Sequence, residues 1–515
     1  MATASSAPDS LRQVLLRHGV PGFIGSAILT LGALGVGWLP LSSGMLNWSY
    51  IELLRGTTAG TILSRVLIFI GVALLLQAWL VLGYDLLSGL RLNTSRMWAV
   101  LIAWTLPLLV TPPLFSRDVY SYFAQGRLID AGFDPYSTGV SVIPGWFQDG
   151  VDPMWAETPT PYGPLFLMVE RGVANFAQNQ PTLSALVFRL VALLGVALMA
   201  VYVPRLAFMH GIDPARALWI GVLNPLVLMH FVAAAHNDAL MVGLVVAGLA
   251  LAAEGRGMLG AAAVGLAGTV KPIALLAMPF IGLLWAGVRA TWPKRVGYWV
   301  ATVGVTAVVF AILSLIAGVG LGWINALTTP GEVRTWLSPM TALGMLAGGL
   351  LQLTGLVATN DGTVLIFRVI GILVALVITA WLCVRPQGRS VVRGAAFALL
   401  AIVALGPVVQ PWYLLWSLPL FAATGLSRNE LRVVIFLTAG FAIHGIAESS
   451  STSDNLLEFS DGISIIAAFI LIGLVLLASP RERQLVFGGP VSHGMLPVDD
   501  PSRARAKQMV FVGAS

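Results

Sequence analysis

The sequence predicts an all-α polytopic membrane protein, and three observations predict it. Hydrophobic residues fill 57% of the 515 positions and charged residues only 10%, with a mean hydropathy of +0.87, whereas soluble domains carry about 25% charged residues. Apolar runs of about 17 to 25 residues, the length that crosses hydrocarbon as a helix, recur from residue 22 to residue 478. None alternates with the period of two that a membrane barrel strand requires.

The net charge of +6 does not point to nucleic acid, because most arginines fall in short links between apolar runs and no solvated basic face is visible. Cys383 is the single cysteine, which excludes disulfides and cysteine-rich metal sites. The opening MATASSAPDSLRQVLLRHG places Arg12, Arg17 and His18 before the first apolar run, as a signal peptide would. That run lacks a cleavage site and leads into many others, so it reads as a first transmembrane helix after a cytoplasmic segment 1 to 20.

The expected spans are 22 to 40, 61 to 86, 97 to 115, 182 to 203, 216 to 234, 239 to 253, 257 to 272, 273 to 288, 297 to 318, 364 to 384, 394 to 408, 411 to 425, 431 to 448 and 462 to 478. These make about fourteen crossings within a membrane domain of residues 21 to 478. Segments 163 to 177 and 338 to 357 read as re-entrant or half-buried, because counting them as crossings puts arginine-rich links on the wrong side. With a cytoplasmic N-terminus the inner links hold Arg91 and Arg96, Arg205 and Arg216, Arg256, Arg289 with Lys294 and Arg295, Arg385 with Arg389 and Arg393, Arg428, and Arg481 with Arg483, as the positive-inside rule asks. The C-terminal stretch 479 to 515 reads as a flexible cytoplasmic tail. The outer links include the large loop 116 to 161, the loop 319 to 337 and the acidic loop 449 to 461; link 41 to 58, with its NWS sequon, reads as structural.

The polar groups collect on the outer side. Loop 116 to 161 holds six acids against Arg117 and Arg127, with Tyr120, Tyr122 and Phe123 among its aromatics; a long loop so rich in rings binds something rather than staying disordered. Val119, Tyr122, Phe123, Gly126 and Ile129 recur at helical spacing, predicting an interfacial helix with its apolar face in the headgroups. Ser116 is placed to cap that helix and Asp118 to sit in its first turn. There Asp118 is either an ordinary first-turn acid or a base that deprotonates a hydroxyl beside the membrane.

The triplet His236, Asn237 and Asp238 opens another outward helix end, as caps or as hydrogen-bonding groups for a polyhydroxylated ligand. Lys271 is an ammonium between apolar runs, a costly placement for which a phosphate is the natural partner. Arg368 either joins it or snorkels to the outer surface. Tyr162 in TPYGP and Gln410, Trp412 and Tyr413 in VQPWYLLW either belong to an aromatic belt or stack on sugar. His444 and Glu448, four apart, form a polar pair near an outer end. No phosphate-cradling glycine loop, zinc motif or nucleophile elbow is present, and without a soluble nucleotide-sugar domain any activated donor has to come from the membrane.

SRDVYSYFAQG at 116 to 126, DPYSTG at 134 to 139, PYGP at 161 to 164, LNPLVLMH at 223 to 230 and HND at 236 to 238 resemble the actinobacterial polyprenol-phosphate-mannose-dependent α-1,6-mannosyltransferases of the GT-C superfamily. The likeness covers residues from about 20 to 480, and the SRD motif with WAETPTPYGP looks more like the members that extend the mannan backbone than those that begin it. The resemblance implies a GT-C fold, a polyprenyl phosphomannose donor, and an acceptor mannan on a phosphatidylinositol mannoside lipid, leading to lipomannan and lipoarabinomannan at the outer face of the plasma membrane. It also implies a catalytic aspartate in the first large outer loop, which maps onto Asp118; Asp134, in DPY, is the runner-up with a turn role. A β-linked donor giving an α-mannoside implies inversion by single displacement, which requires no metal cofactor. Some superfamily members use a divalent metal that loop acids could bind, but the sequence shows no dedicated ligand set. A transferase for polyprenyl-linked arabinose or glucose is the nearest alternative, since fold does not choose the sugar. A transporter or flippase fits less well, because no internal repeat is visible and the charges avoid the midplane.

Overall fold

The computed structural model describes residues 10–178, 180–324, 334–386, 390–447 and 479–487, with the isolated Gly473. The expected span 462 to 478, the acidic loop 449 to 461, Glu448 and residues 325 to 333 of the outer loop 319 to 337 lie outside the described residues. Among the described residues all regular structure is helical: α1 (Leu11–Val36), α2 (Ser49–Gly56), α3 (Thr58–Leu87), α4 (Thr94–Thr105), α5 (Asp118–Asp130), α6 (Pro164–Ala177), α7 (Pro181–Met209), α8 (Pro214–Gly221), α9 (Asp238–Ala253), α10 (Gly257–Val270), α11 (Met278–Ala286), α12 (Trp292–Ala317), α13 (Pro339–Leu353), α14 (Asp361–Val384), α15 (Val391–Leu405), α16 (Leu418–Thr424), α17 (Arg428–Ala447) and α18 (Pro480–Phe487).

Six of these, α1, α3, α7, α12, α14 and α17, are long and apolar enough to cross a membrane, and a seventh span arises if the π-helix Val227–Ala233 and α9, bent by 113°, count as one broken helix. The chain is therefore a polytopic helical membrane protein. The described helices include fewer full-length crossings than the fourteen expected, and the reason is local. The run 97 to 115 turns into a 3-10 helix at Leu106, next to Pro107, and the run 216 to 234 breaks between Gly221 and Val227, around Asn224 and Pro225. Proline removes a backbone donor and collides with the preceding turn, so a run that is apolar enough in composition is not one helix.

Close backbone contact joins the pieces. A Cβ on Gly195 of α7 would lie 2.1 Å from the Ala239 carbonyl oxygen of α9, and one on Gly243 would lie 2.5 Å from the carbonyl oxygen of Gly195; such small-residue crossings hold helices together where lipid supplies no hydrophobic drive. The breaks leave carbonyls without partners, and Arg189 on α7 answers them. Only 1% exposed, its guanidinium donates to Leu109 O at 2.7 Å, Thr111 O at 2.8 Å, Val232 O at 2.9 Å and Ala233 O at 2.9 Å. One side chain thus ties together the ends of two interrupted helices, using the fork of donors that only arginine has. Replacing Arg189 with Met is expected to cost at least about 3 kcal/mol, since several buried carbonyls lose their partner at about 1–3 kcal/mol each. Lysine is expected to recover only part of this, and thermal unfolding in detergent checks both.

Two sequence expectations change. Helix α5 does not lie in the headgroups: Val119 through Gly126 and Leu128 are buried, and a Cβ on Gly126 would lie 2.2 Å from the Glu170 carbonyl oxygen of α6, so α5 is an internal helix. The tail does not begin as flexible chain either. Helix α18 packs on α3 and α17, with Tyr84 Oη bonded to Gln484 Oε1 at 3.1 Å and the Arg432 guanidinium donating to Val486 O at 2.8 Å.

Candidate active site

Helix α5 starts at Asp118, whose backbone N–H donates to Ser116 Oγ at 3.1 Å. The turn before it is strained, because Phe115 adopts φ 67°; another non-glycine residue with positive φ, Ala235 at 57°, stands immediately before His236. Left-handed backbone in residues with a Cβ costs about 1–3 kcal/mol each and persists where the surroundings impose it. Here the surroundings include Arg189, bonded a few residues upstream of both turns. The strain aims two side chains at one point: Asp118 Oδ2 lies 3.6 Å from His236 Nδ1, and Asp118 Oδ1 accepts from Trp155 Nε1 at 3.3 Å. Burial raises the Asp118 carboxyl to about 6, opposed by the Trp155 hydrogen bond and Lys271 and assisted by Asp152 and Asp238. The sequence Ser-Arg-Asp therefore delivers a carboxylate that can both ionise and accept a proton near neutral pH.

Lys271, at the junction of α10 with the 3-10 helix Pro272–Ala277, places Nζ 2.9 Å from both oxygens of Asp238. Asp238 also accepts from Trp416 Nε1 at 2.7 Å. The ammonium stands 5.2 Å from the Tyr413 ring centre, 5.5 Å from Trp416 and 5.9 Å from Tyr162. The ammonium expected to meet a phosphate already has a resident partner in Asp238, so a phosphate reaching it shares it with that carboxylate. Asp238 in turn is an ion-pair partner and not a free sugar contact. Tyr162 is brought here by Gly163, whose N–H donates to Val270 O at 3.1 Å and where a Cβ would lie 2.5 Å from the Thr269 carbonyl oxygen.

Two cavities meet at Lys271. One, of about 390 Å³, is polar and aromatic: Asp118, Arg117, Tyr162, Gln410, Trp412 and Tyr413 line it together with Lys271. The other, of about 1130 Å³, is apolar for most of its length and runs along α14 from Asp361 to Val384. It carries Arg334 and Arg368 on its walls and shares Pro161, Lys271, Val408 and Tyr413 with the first. At 1.5 Å per residue that stretch of α14 covers roughly 35 Å, about the thickness of a bilayer's hydrocarbon.

The predicted residues therefore divide. Arg117, Tyr162, Lys271, Gln410, Trp412 and Tyr413 gather around Asp118, and His236 stands directly behind it. Arg368 is only 7% exposed and its Nε donates to Thr341 Oγ1 at 2.8 Å, so it does not snorkel but faces the apolar cavity. Three predicted ligand contacts are structural instead: Tyr120 is buried with its hydroxyl donating to Trp38 O at 2.8 Å, Tyr122 packs among the rings of Tyr162, Phe166 and Phe188, and Arg127 pairs with Asp149 outside the cavity. Asn237, 2% exposed, precedes α9 as its cap residue and does not line the cavity. Asp134 closes its own turn by accepting from Tyr136 N–H at 3.0 Å.

Sequence reasoning missed Trp38, Asp152, Trp155 and Arg334. Arg117 Nε donates to Asp152 Oδ2 at 2.9 Å and its guanidinium lies 4.4 Å from the Trp38 ring centre, a stacked group that lines the same cavity as Trp412. Trp38 lies at the end of the span expected over 22 to 40, and only its tryptophan could have drawn notice. Among the described residues no three or more His, Cys, Asp or Glu side chains gather as a metal-ligand group.

Residues 19–287 match the family described as alpha-(1->6)-mannopyranosyltransferase, N-terminal domain, and residues 340–478 match the MptB C-terminal domain. Alpha-(1->6)-mannopyranosyltransferase A of Mycobacterium tuberculosis is 37% identical over 429 residues, covering 81% of this chain and 82% of the relative. The proteins named alpha-(1->6)-mannopyranosyltransferase A and B of Corynebacterium glutamicum are 31% and 29% identical, over 75% and 81% of this chain and 84% and 75% of their own lengths. Relatives of both letters match, so the similarity does not separate the two types. A half-buried carboxylate beside a sugar-sized aromatic cavity, joined to a bilayer-long apolar one, is an arrangement suited to moving a sugar at a membrane, and with these matches the chain belongs to the alpha-(1->6)-mannopyranosyltransferase family and is a membrane-embedded mannosyltransferase.

Proposed function

We propose that the chain takes mannose from polyprenyl phosphomannose, whose lipid lies in the apolar cavity, and adds it to an α-1,6-mannan entering the polar cavity. The observation that carries this reading is the junction of the two cavities at Lys271 and Tyr413, beside Asp118. A soluble sugar nucleotide would have no use for a groove about as long as the hydrocarbon is thick. The indoles of Trp38, Trp155 and Trp412 suit the faces of a glycan, so the acceptor is the growing mannan of a mannosylated phosphatidylinositol lipid, and the activity is extension of that backbone. In this reading the fold is GT-C, with the broken and short apolar segments completing about fourteen crossings. Both termini are cytoplasmic and the site opens at the outer face of the plasma membrane, in keeping with the positive-inside pattern.

The acceptor 6-hydroxyl oxygen attacks the anomeric carbon of the donor, its proton passes to Asp118, and the bond from that carbon to the phosphate oxygen breaks with inversion. Polyprenyl phosphate leaves with one more negative charge than the donor carried. Lys271 and Arg368, both on the donor cavity, face that charge. The charge balance closes on these groups, so no metal is required. Because the base works ionised and its carboxyl is raised to about 6, turnover is expected to climb as pH rises through about 6 and to level above pH 7; a pH–rate profile checks this.

Purified protein given radiolabelled polyprenyl phosphomannose and a short α-1,6-mannoside tests the reading, with and without EDTA. Transfer from the lipid donor, absent with nucleotide-linked mannose and insensitive to EDTA, is expected. Labelling only from a polyprenyl phosphate carrying another sugar, or from the nucleotide donor, contradicts the donor assignment, and loss in EDTA contradicts the metal-free step.

A further inference from the structure

His236 has no role in the displacement just described, yet it is completely buried, and neither of its ring nitrogens has a hydrogen-bond partner in the structure. A buried imidazole whose nitrogens have no hydrogen-bond partner is costly and calls for a reason. Its placement is also over-determined. The ring stacks on Trp412, with centres 3.9 Å apart and planes 23° apart. Its backbone N–H donates to His230 O at 3.2 Å, and it follows both a π-helix and the strained Ala235, two irregularities that concentrate at functional positions. All of this fixes Nδ1 at 3.6 Å from Asp118 Oδ2.

A carboxylate turns easily about its last torsion, and a base that turns cannot meet a hydroxyl in line. Trp155 already holds one oxygen. We infer that His236 is a positioning residue for Asp118: its Nδ1–H closes onto Oδ2 when substrate fills the cavity, so that two donors on opposite oxygens lock the carboxylate plane toward the acceptor hydroxyl. Apo distances in such pairs are commonly long and shorten in the substrate complex. The inference rests on reading Asp118 as the base.

The other groups facing Asp118 are Lys271, which favours its ionised form, Asp152 and Asp238, which oppose it, the phenols Tyr122, Tyr162 and Tyr413, which do not titrate near neutrality, and Arg117 on its own turn. His230 stands behind His236, with ring centres 6.1 Å apart. Among the described residues, Trp155 hydrogen-bonds the carboxylate and His236 Nδ1 lies 3.6 Å from its other oxygen.

The test compares His236→Phe, which keeps the stack on Trp412 and loses the donor, with His236→Asn, whose amide N–H falls near the Nδ1 position. In the transfer assay His236→Phe is expected to lose 10- to 100-fold in kcat with donor KM within about twofold, and to move the acid limb of its pH profile up by about one unit, because an ionised carboxylate loses a hydrogen bond. His236→Asn is expected to regain most of the rate and to return the limb. Wild-type kcat and an unmoved limb in His236→Phe overturn the inference, as does a His236→Asn variant as slow as His236→Phe. If His236→Phe fails to fold by thermal melt, His236→Leu, which loses the same donor in a smaller side chain, carries the comparison: its limb must rise while that of His236→Asn stays in place, and an unmoved limb in His236→Leu overturns the inference. Asp118→Asn separates the two levels: activity surviving in it removes the base, whereas an inactive Asp118→Asn beside an unaffected His236→Phe removes only the positioning role.

Discussion

Asp118→Asn is expected to lower kcat by about 10²–10⁴-fold, the usual contribution of a positioned general base, while the protein folds, inserts and binds donor as before. The amide keeps the shape and still accepts from Trp155, but it cannot take the acceptor's proton. Asp118→Glu should retain more activity than Asn and less than wild type, since the longer side chain meets His236 and Trp155 at the wrong distance. Transfer by Asp118→Asn within tenfold of wild type, measured with purified protein and lipid donor, would remove Asp118 from the chemistry.

The Lys271 and Asp238 pair yields the second large effect. Lys271→Met alone leaves Asp238, 1% exposed, as a buried charge held by Trp416 only, and breaking a buried pair this way costs about 3–5 kcal/mol. Loss of activity in that variant would therefore mix unfolding with chemistry. The double variant Lys271→Met/Asp238→Asn removes both charges and is expected to recover most of the stability, as neutral replacements of buried pairs do. Its transfer rate is expected to stay at least about 10²-fold down, the scale of a lost electrostatic stabiliser. Recovery of both the melting temperature and the rate would mean that the lysine only balances Asp238.

The parts of this site that were legible in the sequence are those whose signal is local. Ser116 and Asp118 lie two residues apart, and a helix start follows from their order; Lys271 stands out because an ammonium in an apolar run always needs a reason. The resemblance supplied the sugar chemistry that spacing alone left open between a first-turn acid and a base. What stayed hidden depends on pairs far apart in the chain. Nothing near residue 38 announces that its indole will face Arg117, and nothing near Arg189 announces that four carbonyls from two other segments will converge on it. Lys271 and Asp238, 33 residues apart, were both noticed, but their partnership needs the fold that joins α9 to α10. Composition also gave no sign that some apolar runs are broken, because hydropathy cannot see a proline or an Asn-Pro break turning one run into two short helices.

The most direct test is to map where the donor's lipid lies. Polyprenyl phosphomannose bearing a photoreactive group along its prenyl chain would be bound to Asp118→Asn, which holds donor without consuming it, and the adducts located by mass spectrometry. Adducts concentrated on the cavity side of α14, at residues such as Val369, Ile372 and Leu376, and on the 3-10 helix Pro272–Ala277, competed away by unlabelled donor, are the predicted result. Adducts spread over the outer face of α12, at positions such as Val300, Ile312 and Leu315, and indifferent to competitor, would mean that the apolar cavity is not where the donor meets Asp118.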